Sequence, residues 1–243
     1  MAIEELTKTT TIVLVHGAWA DGSSWANVIA RLQSTGFRVL AAPIPLTSLP
    51  DDIAALDRLL ERTEGSLVLV GHAYAGAVIG ASHNERIRAL VFVAALTPDE
   101  GETVGEVFYH EKPHPSAPAL APDGHGFVWL ADEAFSMAFC QHASAEQSAL
   151  LAATQRPIAL ACIGEKAGAP TWKTTPSWYF IAEEDRMINP ATQLFLALRM
   201  GAQVRSERVD HTPLVTAPEM IVETILDAVK SSASKSGKSR PKV

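Results

Sequence analysis

Cysteine is scarce in this chain. Only Cys140 and Cys162 occur among 243 residues, both in apolar surroundings. So few cysteines read as two buried, reduced thiols of a cytoplasmic protein, with a disulfide as the lesser alternative. No apolar run reaches the ~18 residues of a membrane span, so no membrane partner is expected. The N-terminus, Met1-Ala2-Ile3-Glu4-Glu5, lacks the basic-then-apolar order of a secretory signal. Positive charge is in deficit, with 20 Lys and Arg against 27 Asp and Glu and a net charge of −7. That balance argues against a nucleic-acid partner. No Gly-x-Gly-x-x-Gly or Gly-x4-Gly-Lys-Ser/Thr loop follows a strand, so no nucleotide cofactor is indicated. His83, His125 and His142 are scattered, and His110 and His114 are separated by Pro113, which breaks the one-face helical spacing a metal pair needs. The expected cofactor and metal complement is therefore none.

Short apolar runs alternate with helical signals. Residues 11–15, 37–42, 67–70, 87–94, 178–182 and 203–209 read as strands. Helices are expected over about 23–33, from the acidic pair Asp51-Asp52 onward, from near Asn189, and over 218–230. The pattern predicts the α/β class: a mostly parallel six-stranded sheet with helices on both faces. Residues 97–170 break the alternation with seven prolines, from Pro98 to Pro170, and a cluster of aromatics. We read this stretch as an inserted lid, helical over about 132–141 and 145–154, on a core made of residues 1–96 and 171–230. Residues 231–243, rich in serine and lysine with no acid, read as a disordered tail.

Reacting groups of such sheets collect at the carboxyl ends of the strands. His16-Gly17, Ala73, Asp185 and His211 all fall just past a predicted strand. Around Ala73 the chain reads Gly71-His72-Ala73-Tyr74-Ala75-Gly76, an apolar strand running through a tight turn into a helix of small residues. That is the layout of a nucleophile elbow, whose apex normally carries serine. Here one oxygen is missing. The order Ala73, Asp185, His211 matches nucleophile, acid, base. Glu183 and Glu184 are rivals to Asp185, and Asp210 is a weaker one. Main-chain N–H groups of Ala18 and Tyr74 are the expected oxyanion donors. Trp19, His72, Phe108, Phe127, Trp129 and Met187 are the candidate substrate contacts, although Trp19, Trp25 and most lid aromatics have an alternative role in packing. For His72 the main alternative is bracing the elbow, and for His16 it is bracing its own loop.

The motifs Val13-Leu14-Val15-His16-Gly17-Ala18-Trp19, the elbow, Trp178-Tyr179-Phe180-Ile181 leading to Asp185, and His211 before Pro213 resemble the α/β-hydrolase fold over residues 10–230. Within that fold the chain is similar to plant methylesterases, hydroxynitrile lyases and bacterial carboxylesterases of the pyrethroid-hydrolase type. The resemblance implies a cofactor-free serine hydrolase with its nucleophile at position 73 and, as a further expectation, a homodimer. The expected substrate is a small apolar ester or lactone, aromatic or cyclic. Ala73 then reads as an engineered serine-to-alanine replacement that leaves the chain nearly inactive. The alternatives are a non-catalytic small-molecule binder and a hydroxynitrile lyase, which needs a cation in the lid.

Overall fold

The computed structural model describes residues 3–236. Its first element is a short helix, α1 (Ile3–Thr9), which the sequence pattern did not reveal because only Leu6 of its length is buried. There follow β1 (Thr10–Val15), α2 (Ala26–Ser34), β2 (Arg38–Ala42), α3 (Leu49–Glu61), β3 (Ser66–His72), α4 (Ala75–Gly80) and β4 (Ile87–Val93). The insert holds α5 (Val104–Phe108), β5 (Phe127–Val128), α6 (Asp132–Ala134), α7 (Ala145–Ala153), β6 (Ile158–Ala159) and α8 (Leu160–Gly164). The chain then rejoins the sheet through β7 (Ser177–Ala182), α9 (Pro190–Arg199), β8 (Gln203–Glu207), α10 (Pro213–Thr216) and α11 (Pro218–Ser236).

Six parallel strands form one sheet in the order β2-β1-β3-β4-β7-β8. Side chains alternate across it, as the strand period of two requires. Val13 and Val15, Leu67 and Leu69, and Leu90 and Phe92 face one apolar cluster with α3, α9 and the insert. Ile12 and Leu14, Val68 and Val70, and Val91 and Val93 face the other, with α2 and α11. Both faces are buried, which is why these strands read as continuous apolar runs.

Helix starts follow capping chemistry. Ser48 accepts from the Asp51 N–H at 3.1 Å to begin α3. Asn189 accepts from Ala191 at 2.9 Å to begin α9, with Pro190 next in line. Two expectations change. The helix expected over 132–141 is a single α-helical turn followed by a π-helical stretch, Phe135–Phe139. The last helix does not stop at 230 but continues to Ser236, so residues 231–236 of the expected tail are helical. Ala233 still packs on the sheet's second cluster, which extends the helix past its last strongly apolar turn. Residues 237–243 lie outside the described residues.

Candidate active site

Between β3 and α4 the chain has only Ala73 and Tyr74 in which to reverse, and Ala73 takes a left-handed backbone with φ of +50°. An L-residue adopts this at a cost of about 1–2 kcal/mol, so the surroundings must hold it. They do: the Ala73 N–H donates to Val93 O at 3.1 Å, and its carbonyl accepts from Gly76 at 3.1 Å and Leu96 at 2.9 Å. Two glycines permit the close approach. A Cβ on Gly76 would lie 2.5 Å from Leu96 O. One on Gly17 would lie 2.9 Å from His72 O and 3.0 Å from the Ala73 Cβ, so the loop after β1 is pressed directly on the elbow.

That loop is fixed from three directions. The His16 Nδ1–H donates to Gly17 O at 3.0 Å, the Trp19 N–H to Arg156 O at 3.0 Å, and the Trp19 indole N–H to Val128 O at 3.0 Å. Trp19 also has a positive φ, +56°. His16 is thus a brace, and burial pulls its pKa below the usual 6.5. Among the described residues, the main-chain N–H groups of Ala18 and Tyr74 find no acceptor. Both residues line the cavity above Ala73.

Opposite stand Asp185 and His211, both almost fully buried. Asp185 Oδ1 accepts from the N–H groups of Met187 at 2.7 Å and Ile188 at 2.9 Å. Oδ2 accepts from Gln193 Nε2 at 2.8 Å and from His211 Nδ1 at 2.8 Å. His211 therefore carries its proton on Nδ1 and leaves Nε2 as the edge toward the cavity it lines. Gln193 is buried on α9 and also accepts from the Ala182 N–H at 3.0 Å, so it ties the Asp185 loop to the end of β7. The motif reading missed it. Its signal was a polar residue on the buried stripe Thr192, Gln193, Leu196, Ala197.

The rival acids turn elsewhere. Glu183 accepts from Ser206 Oγ, and Glu184 meets His142 and Arg208. Asp210 accepts from the His142 N–H at 2.9 Å and from Thr216 Oγ1 at 2.6 Å, bracing the loop that carries His211.

His72 is not a substrate contact. It sits on the sheet face away from the cavity, where its Nε2–H donates to His211 O at 2.8 Å and its ring lies 4.7 Å from the His211 ring. A carbonyl can only accept, so the proton is on Nε2. Burial, together with the neighbouring His211, holds the His72 pKa well below 6.5. Trp25 is also core, buried on that same side.

The cavity measures about 220 Å³. Trp19, Phe108 and Met187 line it, as the sequence predicts, together with Leu120, Val128 and Ile158 from the insert. Phe127 and Trp129 do not. Val128 pairs with Ile158 and points inward, so the pleat turns its two neighbours outward. Phe127 packs on the flank, and the Trp129 indole, 51 % exposed, donates to Asp123 at 3.3 Å. Among the described residues, no Lys, Arg, Asp or Glu lines the cavity. The Tyr74 hydroxyl donates to the buried carboxyl of Asp52 at 2.7 Å. Burial raises the Asp52 and Tyr74 pKa values and pushes the neighbouring Cys162 thiol up to about 12, which rules the thiol out as a ready nucleophile.

A parallel sheet with a strand–turn–helix elbow at its centre and a carboxylate–imidazole pair at the ends of later strands defines the α/β-hydrolase class. The chain belongs to the alpha/beta hydrolase family, whose model matches residues 12–224. It is 24 % identical to Methylesterase 2 of Arabidopsis thaliana, over 88 % of this chain and 94 % of that protein. It is likewise 24 % identical to the pyrethroid hydrolase of Sphingobium wenxiniae, over 96 % of this chain and 94 % of that protein. Among solved structures, a serine-to-alanine variant of a pyrethroid hydrolase superposes with a TM-score of 0.80 at 21 % identity, covering 93 % of this chain and 99 % of that one.

Proposed function

We propose that this chain is the framework of a carboxylic ester or lactone hydrolase whose nucleophile is a serine at position 73. The observation that carries this is the Asp185–His211 pair, complete to its last donor, facing an elbow that lacks only Oγ. In the serine form, His211 Nε2 takes the hydroxyl proton and later activates water. Asp185 holds the imidazole tautomer and stabilises the imidazolium. The free N–H groups of Ala18 and Tyr74 stabilise the tetrahedral oxyanion. With a methyl at position 73 no acyl-enzyme forms. We read the alanine as a replacement of serine, since the orienting groups around it are all still in place.

The cavity supports an uncharged apolar substrate, aromatic or cyclic. Its walls are aliphatic and aromatic, and it offers no cation to a carboxylate. The name of the methylesterase points the same way, to an ester, and that of the pyrethroid hydrolase to hydrolysis. A cyanohydrin lyase is disfavoured, because among the described residues no lysine or arginine lines the cavity to hold a departing cyanide.

The test is Ala73→Ser, assayed beside the present chain on p-nitrophenyl esters, aryl methyl esters and lactones. We expect a gain of about 10³-fold or more in hydrolysis. A folded variant with no gain across the panel would sink the hydrolase reading and leave a binding protein.

A further inference from the structure

With alanine at position 73, the imidazole of His211 has no hydroxyl beside it at the cavity edge. His211 Nε2 faces the cavity with no protein partner, while Nδ1–H is tied to Asp185 at 2.8 Å. Asp185 in turn is held by three further donors: Met187, Ile188 and Gln193. Across the floor lie two main-chain N–H groups without acceptors, those of Ala18 and Tyr74. Between them is a methyl group, Ala73, where a competing hydroxyl would otherwise take the histidine's hydrogen bond. The walls carry no other charged side chain to quench or compete with the base.

A base on one side, a pair of oxyanion donors on the other and an apolar slot between them are what proton abstraction beside a carbonyl requires. We infer that the chain as it stands, with Ala73, catalyses enolisation of small apolar ketones. The His211 Nε2 lone pair takes the α-C–H proton. The C–H electron pair becomes the C=C bond of the enolate, and the carbonyl π pair moves onto oxygen, held by the N–H groups of Ala18 and Tyr74. The imidazolium then returns a proton to carbon. No oxidant or co-reactant is consumed. When the Nε2 proton exchanges with solvent before it is returned, return to the same carbon replaces that carbon's hydrogen with one from water, and return to a conjugated carbon moves a double bond. The inference shares the oxyanion assignment with the ester reading, but it needs no hydroxyl at position 73.

The experiment uses the unmodified chain in D2O at neutral pD with 2-tetralone, 2-indanone and phenylacetone. Loss of the α-proton signals is followed by NMR. We expect exchange about 100-fold or more above buffer for at least one ketone, the lower range of positioned acid–base catalysis. His211→Gln and Asp185→Asn, each checked for folding by circular dichroism, are expected to fall back to the buffer rate. If the unmodified chain exchanges no faster than both variants with all three ketones, the inference is overturned. It is also overturned if exchange is enhanced but survives in folded His211→Gln, because the base is then not His211; survival in folded Asp185→Asn alone would overturn the orienting role given to Asp185. The ester reading is tested separately by Ala73→Ser: a gain in ester hydrolysis there, with no ketone exchange in the unmodified chain, overturns this inference and leaves that reading standing.

Discussion

On one side of the cavity, Asp185, His211 and Gln193 are joined by buried hydrogen bonds, and His72 behind them holds the His211 carbonyl. On the other, Ala73, Ala18 and Tyr74 present two bare N–H groups and a methyl to an apolar slot. The first arm is costly to build, since buried polar groups must all be satisfied, and it has value only if it acts on something. The second arm is also costly, because Ala73 and Trp19 keep left-handed backbones with no glycine to ease them. Both arms are strained or over-determined in ways a purely structural fold has no need of. The two arms meet at the Ala73 methyl.

The contrast breaks most sharply with Ala73→Ser, which should raise ester hydrolysis by about 10³-fold or more. In that background Asp185→Asn should lower kcat by roughly 10³–10⁴ with KM nearly unchanged, because the imidazole loses its tautomer and not its place. A comparable rise in KM instead would show that Asp185 shapes the cavity. Gln193→Leu is the next step down. It strips a donor from Asp185 Oδ2 and an acceptor from the Ala182 N–H, and should cost about 1–3 kcal/mol in urea unfolding. In the active background it should also lower kcat more than it raises KM. Unchanged stability would deny it the role of tie.

pH separates the arms more gently. His72 and His16 are both held below the ordinary 6.5 by burial. The unfolded chain therefore binds more protons than the folded one just below that value. Their contribution to stability is complete above pH 6.5 and is lost as pH falls through 6.5 toward their folded values. Each contributes a slope of at most about 1.4 kcal/mol per pH unit. Thermal melts at stepwise lower pH should show the decline, and His72→Gln should flatten it. A profile that stays flat below pH 6.5 would contradict neutral burial. The smallest effect belongs to the insert's outer face. Trp129→Ala should change stability by no more than about 0.5 kcal/mol and leave KM unchanged, whereas Phe108→Ala, inside the cavity, should raise KM.

The sheet was legible because its residues obey one period. All six main strands were found within a few residues, and the four central ones, β1, β3, β4 and β7, were plainest because a strand buried on both faces is apolar nearly throughout. Ala73, Asp185 and His211 were legible because strand-end positions in a parallel sheet converge on one rim. The insert obeys no such period. Phe127 and Trp129 were misplaced because the pairing of Val128 with Ile158, a partner 30 residues away, decides which side of a two-residue strand faces in. Gln193 was missed because a lone polar residue in an apolar helix announces burial without naming its partner.

By itself the sequence determined the fold class and the order of Ala73, Asp185 and His211 at the ends of their strands, both of which are properties of local pattern and chain order. Only the tertiary structure decided which carboxylate meets the imidazole, which aromatics line the cavity, and that His72 serves the His211 backbone instead of the substrate. The physical reason is reach. A strand's face and a helix's cap are fixed by neighbours a few residues away. A hydrogen bond such as His72 to His211 spans 139 residues of chain and exists only once the sheet has brought its ends together.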